Sequence, residues 1–560
     1  MIRIQERKTV KVPGITSLFV SFDFNKLIVD ELKLLQGCIY NADNKEWEMP
    51  LTNLTEFVDR VCKIDNITVE TLAEQVDTPT KFELMSYKTT PFDYQQEGIQ
   101  FGLNHDCFLL LDAPGLGKTL QLTYLAQELK EREGLQHCLI ICGINTLKTN
   151  WKNEIEKHSD LTCRILGQRI NRKGKLVVDG IPERLKQLKE PIEEFFVITN
   201  IETLRDEKIL SSFLKNKHNK FDMIVVDEIH KAKSCTSQQG KHLLKLNKAK
   251  HRIGATGTLL LNNPLDSYAP LKWIGAERST YSTFRYYSCN YGGPFGNMLL
   301  GFKNVNILQD QIKRYSLRRK KDILNLPPKT FIPEYVDMND SQAIFYNNVK
   351  NGIAQEVNDM KVKLSTANML ALVARLRQAT ACPSILTTDS IPSSKIERAV
   401  DLVEQIVDSG EKVVIFSTFK ETVYELERQL KHLGLVVATG DQSDEEIEYA
   451  KRHLQEDPNT KIFVGTWQKC GTGITLTAAS YLIFIDTPWT AAETEQASDR
   501  IYRIGTKDSV FIYNLIARDT IDERVWELVN DKEAIAEYIV DDKITEKGID
   551  SLRKYIEEFI

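Results

Sequence analysis

The sequence predicts an α/β protein carrying two blocks of parallel sheet, and three observations support that expectation. Short apolar strands recur between amphipathic helical stretches in two separate regions of the chain. The first of these strands runs into "DAPGLGKTLQ" (Asp112 to Gln121), a Gly-punctuated turn that ends in Lys-Thr at the head of a helix. A later strand, read within "MIVVDEIH", delivers two adjacent carboxylates at its end. Parallel strands covered by helices on both faces are continuously apolar, and such sheets bind ligands at the carboxyl ends of their strands.

The Asp112 to Gln121 stretch reads as an ATP site. Backbone N–H groups in the turn around Gly115 and Gly117 cradle the phosphates, the Lys118 ammonium neutralises the β/γ charge, and the Thr119 hydroxyl ligates Mg²⁺. Asp112 stands where the usual pattern has its first Gly, so a turn that merely starts a helix is the plain alternative. Just upstream, "PFDYQQEGIQ" (Pro91 to Gln100) offers Gln95, whose amide has both a donor and an acceptor for the adenine edge.

Composition limits the remaining classes. A chain of 560 residues is too long for one core, and 42% hydrophobic with 27% charged residues is typical of a globular protein. The net charge of -5 argues against a uniformly basic nucleic-acid coat, which leaves local basic grooves. The ten cysteines show no CxxC pair or zinc spacing, as expected of reduced structural thiols. No signal core is present at the N-terminus, and no apolar run approaches the ~18 residues of a membrane span. These features predict a soluble intracellular protein, cytoplasmic if bacterial or viral and nuclear if eukaryotic.

Taken in order, residues 1 to about 85 form a small α+β module. Within Phe22 to Leu51 the pattern predicts an amphipathic helix with Leu27, Ile28, Leu32 and Leu35 inward, a strand at Cys38 to Tyr40, an Asn-Ala-Asp-Asn turn and a strand around Trp47. Phe24, Lys33, Tyr40, Lys45 and Trp47 could clamp bases and phosphates, although core aromatics beside solvated lysines are the simpler account. The first block then has strands at Cys107 to Leu111, Cys138 to Cys142, Phe195 to Ile198, Met223 to Val226 and Arg252 to Ala255. Asp227 and Glu228 follow the fourth of these, where Asp227 would hold Mg²⁺ through water and Glu228 would polarise the attacking water. The second block, Ser394 to Asn530, has strands at Val413 to Phe416, Ile462 to Gly465, Tyr481 to Ile485 and Val510 to Leu515. It contains "QASDRIYRIG", where Arg500 and Arg503 share a face if the stretch is helical and are then placed to act as arginine fingers; a basic surface face is the alternative.

From about Pro91 to Asn530 the chain resembles the Swi/Snf-related ATPases of helicase superfamily two. The matching stretches, in the family's order, are "DAPGLGKTLQ", "NWKNEIEKH", "VITNIETLR", "DEIHKAK", "ATGTLLLNN", "LRRKKDILNLPPK", "LRQATACP", "VVIFSTF", "GTGITLTAAS" and "DTPWTAAETEQASDRIYRIG". A Thr in place of the more common Asn within "GTGITLTAAS" is similar to the annealing-helicase branch. Phe22 to Leu51 resembles the HARP module that precedes the motor in that branch, which favours the clamp reading of Trp47 and its neighbours.

The resemblance implies two RecA-like lobes that clasp ATP in their cleft and double-stranded DNA across their surface. It implies a module at 1–85, a first lobe at 86–325, a helical protrusion or linker at 326–393, a second lobe at 394–530 and a helical extension at 531–560. By position, Gln95 contacts adenine; Gly115, Gly117, Lys118 and Thr119 hold the phosphates and Mg²⁺; Asp227 holds the metal and Glu228 the water; Arg500 and Arg503 are fingers. Thr256 and Thr258 couple the lobes, the Gly471 to Thr477 motif, including Gly473 and Thr475, touches nucleotide and DNA, and Lys148, Thr199 and Asn200 are further DNA-contact candidates. The chain departs from the family at Ala113-Pro114, Leu259, Tyr502 and Thr506, none of which removes a group with a proton, metal or phosphate task. The expected function is an ATP-dependent double-stranded DNA translocase that remodels or reanneals branched DNA. A strand-separating helicase, or the motor of a repair or restriction system, is the alternative; a non-hydrolysing scaffold fits poorly with retention of Lys118, Asp227, Glu228 and both arginines.

Overall fold

A computed structural model of the chain describes residues 1–8, 16–35, 38–42, 44–50, 53–64, 67–72, 79–143, 146–170, 176–216, 218–257, 264–292, 298–324, 326–359, 366–470, 474–503, 505–530, 539–540 and 543–544. They divide into two compact units, Met1–Ala113 with Gly117–Lys320, and Pro114–Leu116 with Lys321–Ile560.

The first unit begins with a module of five strands and two helices: β1 (Ile2–Lys8), β2 (Thr16–Phe22), α1 (Lys26–Leu34), β3 (Ile39–Asn41), β4 (Glu46–Met49), α2 (Leu54–Val61) and β5 (Val69–Leu72). The sheet order is β3-β4-β2-β1-β5, antiparallel except for β1 beside β5. Alternation sends Ile2, Ile4, Leu18 and Val20 to one face, where they meet Ile28 and Leu32 of α1 and Phe57 and Val61 of α2. Asn25 caps α1 by accepting from Leu27 N at 2.9 Å, which fixes the phase of that helix. Ile28, Leu32 and Leu35 therefore point inward as expected, but Leu27 is 58% exposed, a correction. Trp47 is half-buried against this core with its ring 5.4 Å from that of Tyr40, whereas Phe24 is exposed.

Residues 79–90 already belong to the motor side, so the module ends before the expected boundary at 85. Their backbone is held by side chains of the following helices: Phe82 N donates to Gln100 Oε1 at 2.9 Å and Met85 N to Glu128 Oε1 at 2.7 Å.

The motor part of this unit contains α3 (Asp93–Asn104), β6 (Cys107–Leu110), α4 (Lys118–Glu133), β7 (His137–Cys142), α5 (Thr146–His158), β8 (Cys163–Ile165), β9 (Gln168–Ile170), β10 (Leu176–Val178), α6 (Ile181–Lys189), β11 (Phe196–Asn200), α7 (Glu207–Lys215), β12 (Phe221–Asp227), α8 (Gln238–Lys245) and β13 (His251–Ala255). It closes with α9 (Tyr268–Ile274), α10 (Tyr281–Ser288), the hairpin β14 (Cys289–Gly292) and β15 (Met298–Phe302), α11 (Val305–Arg314) and β16 (Ser316–Leu317). Seven strands form a wholly parallel sheet in the order β16-β6-β13-β12-β7-β11-β8. Each face carries its own apolar layer, one around Leu139, Val197 and Trp273 and the other around Phe108, Ile140 and Trp151. Burying both faces is what the continuous apolar strands demand.

The second unit repeats the plan: β17 (Lys329–Val336), α12 (Asp340–Asp359), α13 (Thr366–Ala381), α14 (Ser394–Asp408), β18 (Val413–Ser417), α15 (Lys420–Leu430), β19 (Leu435–Ala438), α16 (Asp444–Glu456), β20 (Ile462–Thr466), α17 (Trp467–Cys470), β21 (Tyr481–Phe484), α18 (Ala491–Ser498), β22 (Val510–Ala517) and α19 (Ile521–Asn530). Its six strands are again parallel, ordered β17-β22-β21-β18-β20-β19. The segment expected as helical protrusion or linker, 326–393, opens with β17, which pairs along its length with β22. Helices α12 and α13 follow and share a core with α19 through Tyr346, Leu372, Leu376 and Val525. Of the expected helical extension 531–560, the described residues form a strand pair instead, β23 (Ile539–Val540) with β24 (Lys543–Ile544), and the rest lies outside them. β-branched Ile539, Val540 and Ile544 suit a strand better than a helix.

The module is joined to the motor by charge. Arg278, ahead of α10, reaches Glu48 of β4 at 2.9 Å, and Arg314 at the end of α11 pairs with Glu6. Glu48 is buried and also accepts from Ser17 Oγ at 2.8 Å. A cavity of about 610 Å³ lies beside this joint, between α2 and the α10–α11 segment, lined among others by Arg60, Lys63, Glu277, Tyr287, Asn304 and Gln311. Arg278→Ala leaves the Glu48 carboxylate buried without its cation, a loss on the order of 3 kcal/mol. Faster amide exchange across Glu46–Met49 is the expected result, and unchanged exchange there argues that the joint does not depend on this pair.

Candidate functional site

The carboxyl ends of three adjacent strands set the site. Register aligns Leu110 of β6 with Ala255 of β13, and Ala255 with Asp227 of β12. The residues that follow each strand end, Asp112 onward, Thr256 and Glu228, are thereby brought to one edge of the sheet.

At the phosphate loop, Gly115 (φ 85°) and Gly117 (φ 73°) take left-handed conformations, and Gly117 caps the start of α4. A side chain at 117 would collide with Nε2 of Gln95. Gln95 is buried, and its Oε1 accepts from Phe92 N at 3.0 Å, closing the first turn of α3. The adenine candidate therefore packs on the loop, with its amide oxygen already serving the helix cap. Lys118 and Thr119 open α4, and the Lys118 ammonium donates to the carbonyls of Asp112 at 2.8 Å and Ala113 at 3.4 Å.

Asp227 and Glu228 are held differently. Asp227 is 9% exposed; its Oδ2 accepts from Trp151 Nε1 at 2.8 Å and its Oδ1 from Glu228 N at 3.0 Å. Burial, and next the neighbouring Glu228 charge, push its carboxyl upward, against the donors from Trp151 and Glu228 N and the Lys118 charge. For Glu228 burial also pushes upward, but His230, the Lys118 charge and Thr256 outweigh it and hold the carboxyl below its ordinary range. His230 Nδ1 lies 3.2 Å from Glu228 Oε2 and 2.9 Å from Thr256 Oγ1, which itself donates to Glu228 Oε2 at 3.2 Å. Glu228 is thereby held in its ionised form, which the task expected of it requires. Each oxygen of Asp227 accepts one N–H and keeps a second lone pair, so this carboxylate, with the Thr119 hydroxyl, fits a divalent cation held partly through water.

Glu228 also has a left-handed backbone, φ 53° and ψ 50°, uncommon for a residue with a side chain. Gly143, just beyond β7, makes room for it: a Cβ there would stand 2.7 Å from Glu228 Cβ. Trp151, His230 and Gly143 are neighbours of the acidic pair that sequence reasoning missed. Trp151 lay inside the quoted "NWKNEIEKH", but a Trp on the inner face of a helix reads as core, which it also is.

In the second unit, α18 ends at Ser498, so Arg500 and Arg503 do not share a helical face; that condition is corrected. Instead the loop after α17 organises them. Arg500 Nη1 donates to Ile474 O at 3.3 Å and its Nε to Gln496 O at 3.0 Å, while Arg503 Nη1 donates to Thr475 Oγ1 at 2.7 Å. Gln455 of α16 steadies the same loop by donating to Thr475 O at 3.0 Å and accepting from Ala478 N at 2.9 Å. Thr475, expected on DNA, spends its hydroxyl on Arg503. Thr258 and Gly473 lie outside the described residues.

Three further DNA-contact candidates are buried. Lys148, Thr199 and Asn200 are 6%, 1% and 3% exposed, and the Asn200 side chain is engaged by Arg184, Thr203 and Glu202. No helix among the described residues is long and apolar enough to cross a membrane.

Comparison with known proteins supplies the context for this geometry. The SNF2-related domain matches residues 94–385, and the helicase conserved C-terminal domain matches residues 394–505. An uncharacterized ATP-dependent helicase of Mycoplasma pneumoniae is 25% identical over 87% of this chain and 46% of its own length. A Caenorhabditis elegans homolog of SWI/SNF-related matrix-associated actin-dependent regulator of chromatin subfamily A-like protein 1 is 27% identical over 91% of this chain and 73% of its own. The DNA annealing helicase and endonuclease ZRANB3 of Bos taurus is 26% identical over 80% of this chain and 40% of its own. The chain thus spans less than half the length of the first and third of these relatives.

Trp151→Phe keeps the ring in the core and removes the donor to Asp227. A buried carboxylate oxygen left unpaired costs about 1–3 kcal/mol. The expected outcome is a lower thermal midpoint together with a smaller gain in nucleotide affinity on adding Mg²⁺, read by titrating a fluorescent ADP analogue with Mg²⁺ and then with EDTA. A variant whose Mg²⁺ gain matches the parent shows that the indole acts only in packing.

Proposed function

The chain belongs to the SNF2-related family, and from that premise we propose that it is a DNA-dependent ATPase that translocates along double-stranded DNA and remodels or reanneals branched DNA. One observation carries the proposal. Lys118 follows β6 and the Asp227–Glu228 pair ends β12, separated in the sheet only by β13, which is followed by Thr256. Phosphoryl transfer to water needs this set: a cation on the phosphates, a carboxylate for the metal and a second, ionised carboxylate beside the attacking water.

In this reading Gly115, Gly117, Lys118 and Thr119 bind the ATP phosphates, Thr119 and Asp227 hold Mg²⁺, and Glu228 orients the water. Thr256, bonded to both Glu228 and His230, is placed to pass a change at Glu228 along the edge of the sheet. Arg500 and Arg503 are assigned to the γ-phosphate by resemblance. The 1–72 module is the substrate-recognition element, with Trp47 and the exposed Tyr40 ring as its contact for unstacked bases at a branch. The annealing-helicase name of one relative and the "GTGITLTAAS" motif support this choice of substrate.

Steady-state ATP hydrolysis is to be measured at one salt concentration without nucleic acid and with linear duplex, single strand, a fork and RNA, since phosphate-dominated binding depends on salt. Strongest stimulation by duplex or fork is expected, and stimulation confined to single strands or RNA turns the reading to a strand-separating helicase. Lys118→Ala is expected to abolish nucleotide binding or hydrolysis. Glu228→Gln is expected to bind ATP while losing about 10²-fold or more in turnover, and parental turnover removes Glu228 from the mechanism. Trp47→Ala is expected to reduce the preference for fork over linear duplex at unchanged turnover without DNA; if the variant instead unfolds, Trp47 is a core residue.

A further inference from the structure

Arg319 and Lys321 take no part in the chemistry above, yet their side chains are only 10% and 15% exposed. They lie in "LRRKKDILNLPPK", at the point where the chain leaves the first unit at Lys320 and enters the second at Lys321. We propose that they are positioning residues that fasten this connection to the phosphate loop on one side and to the arginine segment on the other. The inference rests on the ATPase reading and deepens it.

The first anchor explains why Asp112 occupies a position usually held by Gly. Asp112 is fully buried, and its Oδ1 accepts from Arg319 N at 3.1 Å and Arg319 Nε at 3.0 Å. Its Oδ2 accepts from Arg319 Nη2 and from Gln121 Nε2, the latter at 3.1 Å. Arg319 Nη2 also reaches Gln121 Oε1 at 2.7 Å, and the guanidinium lies 5.3 Å over the Tyr94 ring. Main-chain bonds continue the contact: Leu111 N donates to Leu317 O at 2.8 Å and Ala113 N to Arg319 O at 2.9 Å. Gly98 leaves the space, since a Cβ there would stand 2.9 Å from Arg319 Nη2. A planar fork gripping both carboxylate oxygens fixes orientation as well as distance, which a Lys would not. The start of the phosphate loop is thus fixed to the last residues of its unit.

The second anchor lies two residues on, within the other unit. The Lys321 ammonium pairs with the buried Asp499 carboxylate and donates to Tyr502 O at 3.0 Å. It also lies 5.1 Å over the Tyr502 ring, as does the Lys329 ammonium, which gives the Tyr that replaces the family's His a cation-binding task. Asp499 immediately precedes Arg500, and Tyr502 immediately precedes Arg503. Two peptide units join the anchors, a span of at most about 7 Å.

The test uses the full chain with Arg319→Gln, Asp112→Asn, the two combined, and Lys321→Met. Two quantities are read: affinity for a fluorescent ADP analogue without DNA, and turnover of ATP at saturating duplex. Arg319→Gln and Asp112→Asn are each expected to weaken the analogue about tenfold, with the double variant no worse than either, as for two halves of one contact. Lys321→Met is expected to bind the analogue within about twofold of the parent and to lose about tenfold in turnover, a split between binding and chemistry. Parental affinity in Arg319→Gln, or parental turnover in Lys321→Met, overturns the inference. Should Arg319→Gln fail to fold, Arg319→Lys keeps the buried charge without the two-point grip, and parental affinity in that variant overturns it equally. A parent chain that hydrolyses no ATP under any condition overturns the ATPase reading instead, while the binding measurements still decide the role of Arg319.

Discussion

The register of three parallel strands is the constraint on which the site depends. Leu110, Ala255 and Asp227 stand abreast, and side chains alternate faces along each strand, so a slip of β12 by one residue would turn Asp227 toward the wrong side. That register is fixed from both faces by apolar layers in which Leu109, Val226 and Ile224 belong to one and Phe108, Val225 and Ile253 to the other. The irregularity that β12 does contain, at Phe221 to Met223 against β7, sits at the far end of the strand from the carboxylates. Packing that is indifferent to chemistry thus sets the spacing that the chemistry requires.

Within that frame the two carboxylates are made unequal. Both are desolvated, which favours protonation, but they receive different donors. Asp227 has an indole and one backbone N–H, while Glu228 has an imidazole and a hydroxyl and shares with Asp227 the Lys118 charge. A proton entering the pair goes to Asp227 first and leaves Glu228 as the carboxylate.

Much of this was legible in the sequence, and the reasons for the failures are physical. Each motor strand read from apolar runs lies within a residue or two of its place, because a strand buried on both faces has no polar positions to blur its ends. The phosphate loop and the acidic pair were legible because each is a local pattern. What could not be read were pairings between distant positions: Trp151 with Asp227 across 76 residues, and Arg319 with Asp112 across 207. The burial of Thr199 and Asn200 was not legible either, since polar residues at a strand end look like surface in a sequence. Two inner strands of the module, β1 and β2, escaped notice although Ile2 and Ile4 alternate as a strand should.

The left-handed backbone at Glu228 has a consequence for how this position behaves under selection. Such a conformation costs an ordinary residue on the order of 1 kcal/mol, and Gly or Asn is relieved of most of it. Glu is thus a locally unfavourable choice, kept in place by Gly143 opposite and by its partners His230 and Thr256. A population of variants enriched only for resistance to heat would drift toward small or amide residues at 228, whereas one enriched for turnover would hold Glu and, with it, the glycine at 143. Under the role proposed for Glu228, the two positions form a linked pair in which foldability and turnover pull in opposite directions.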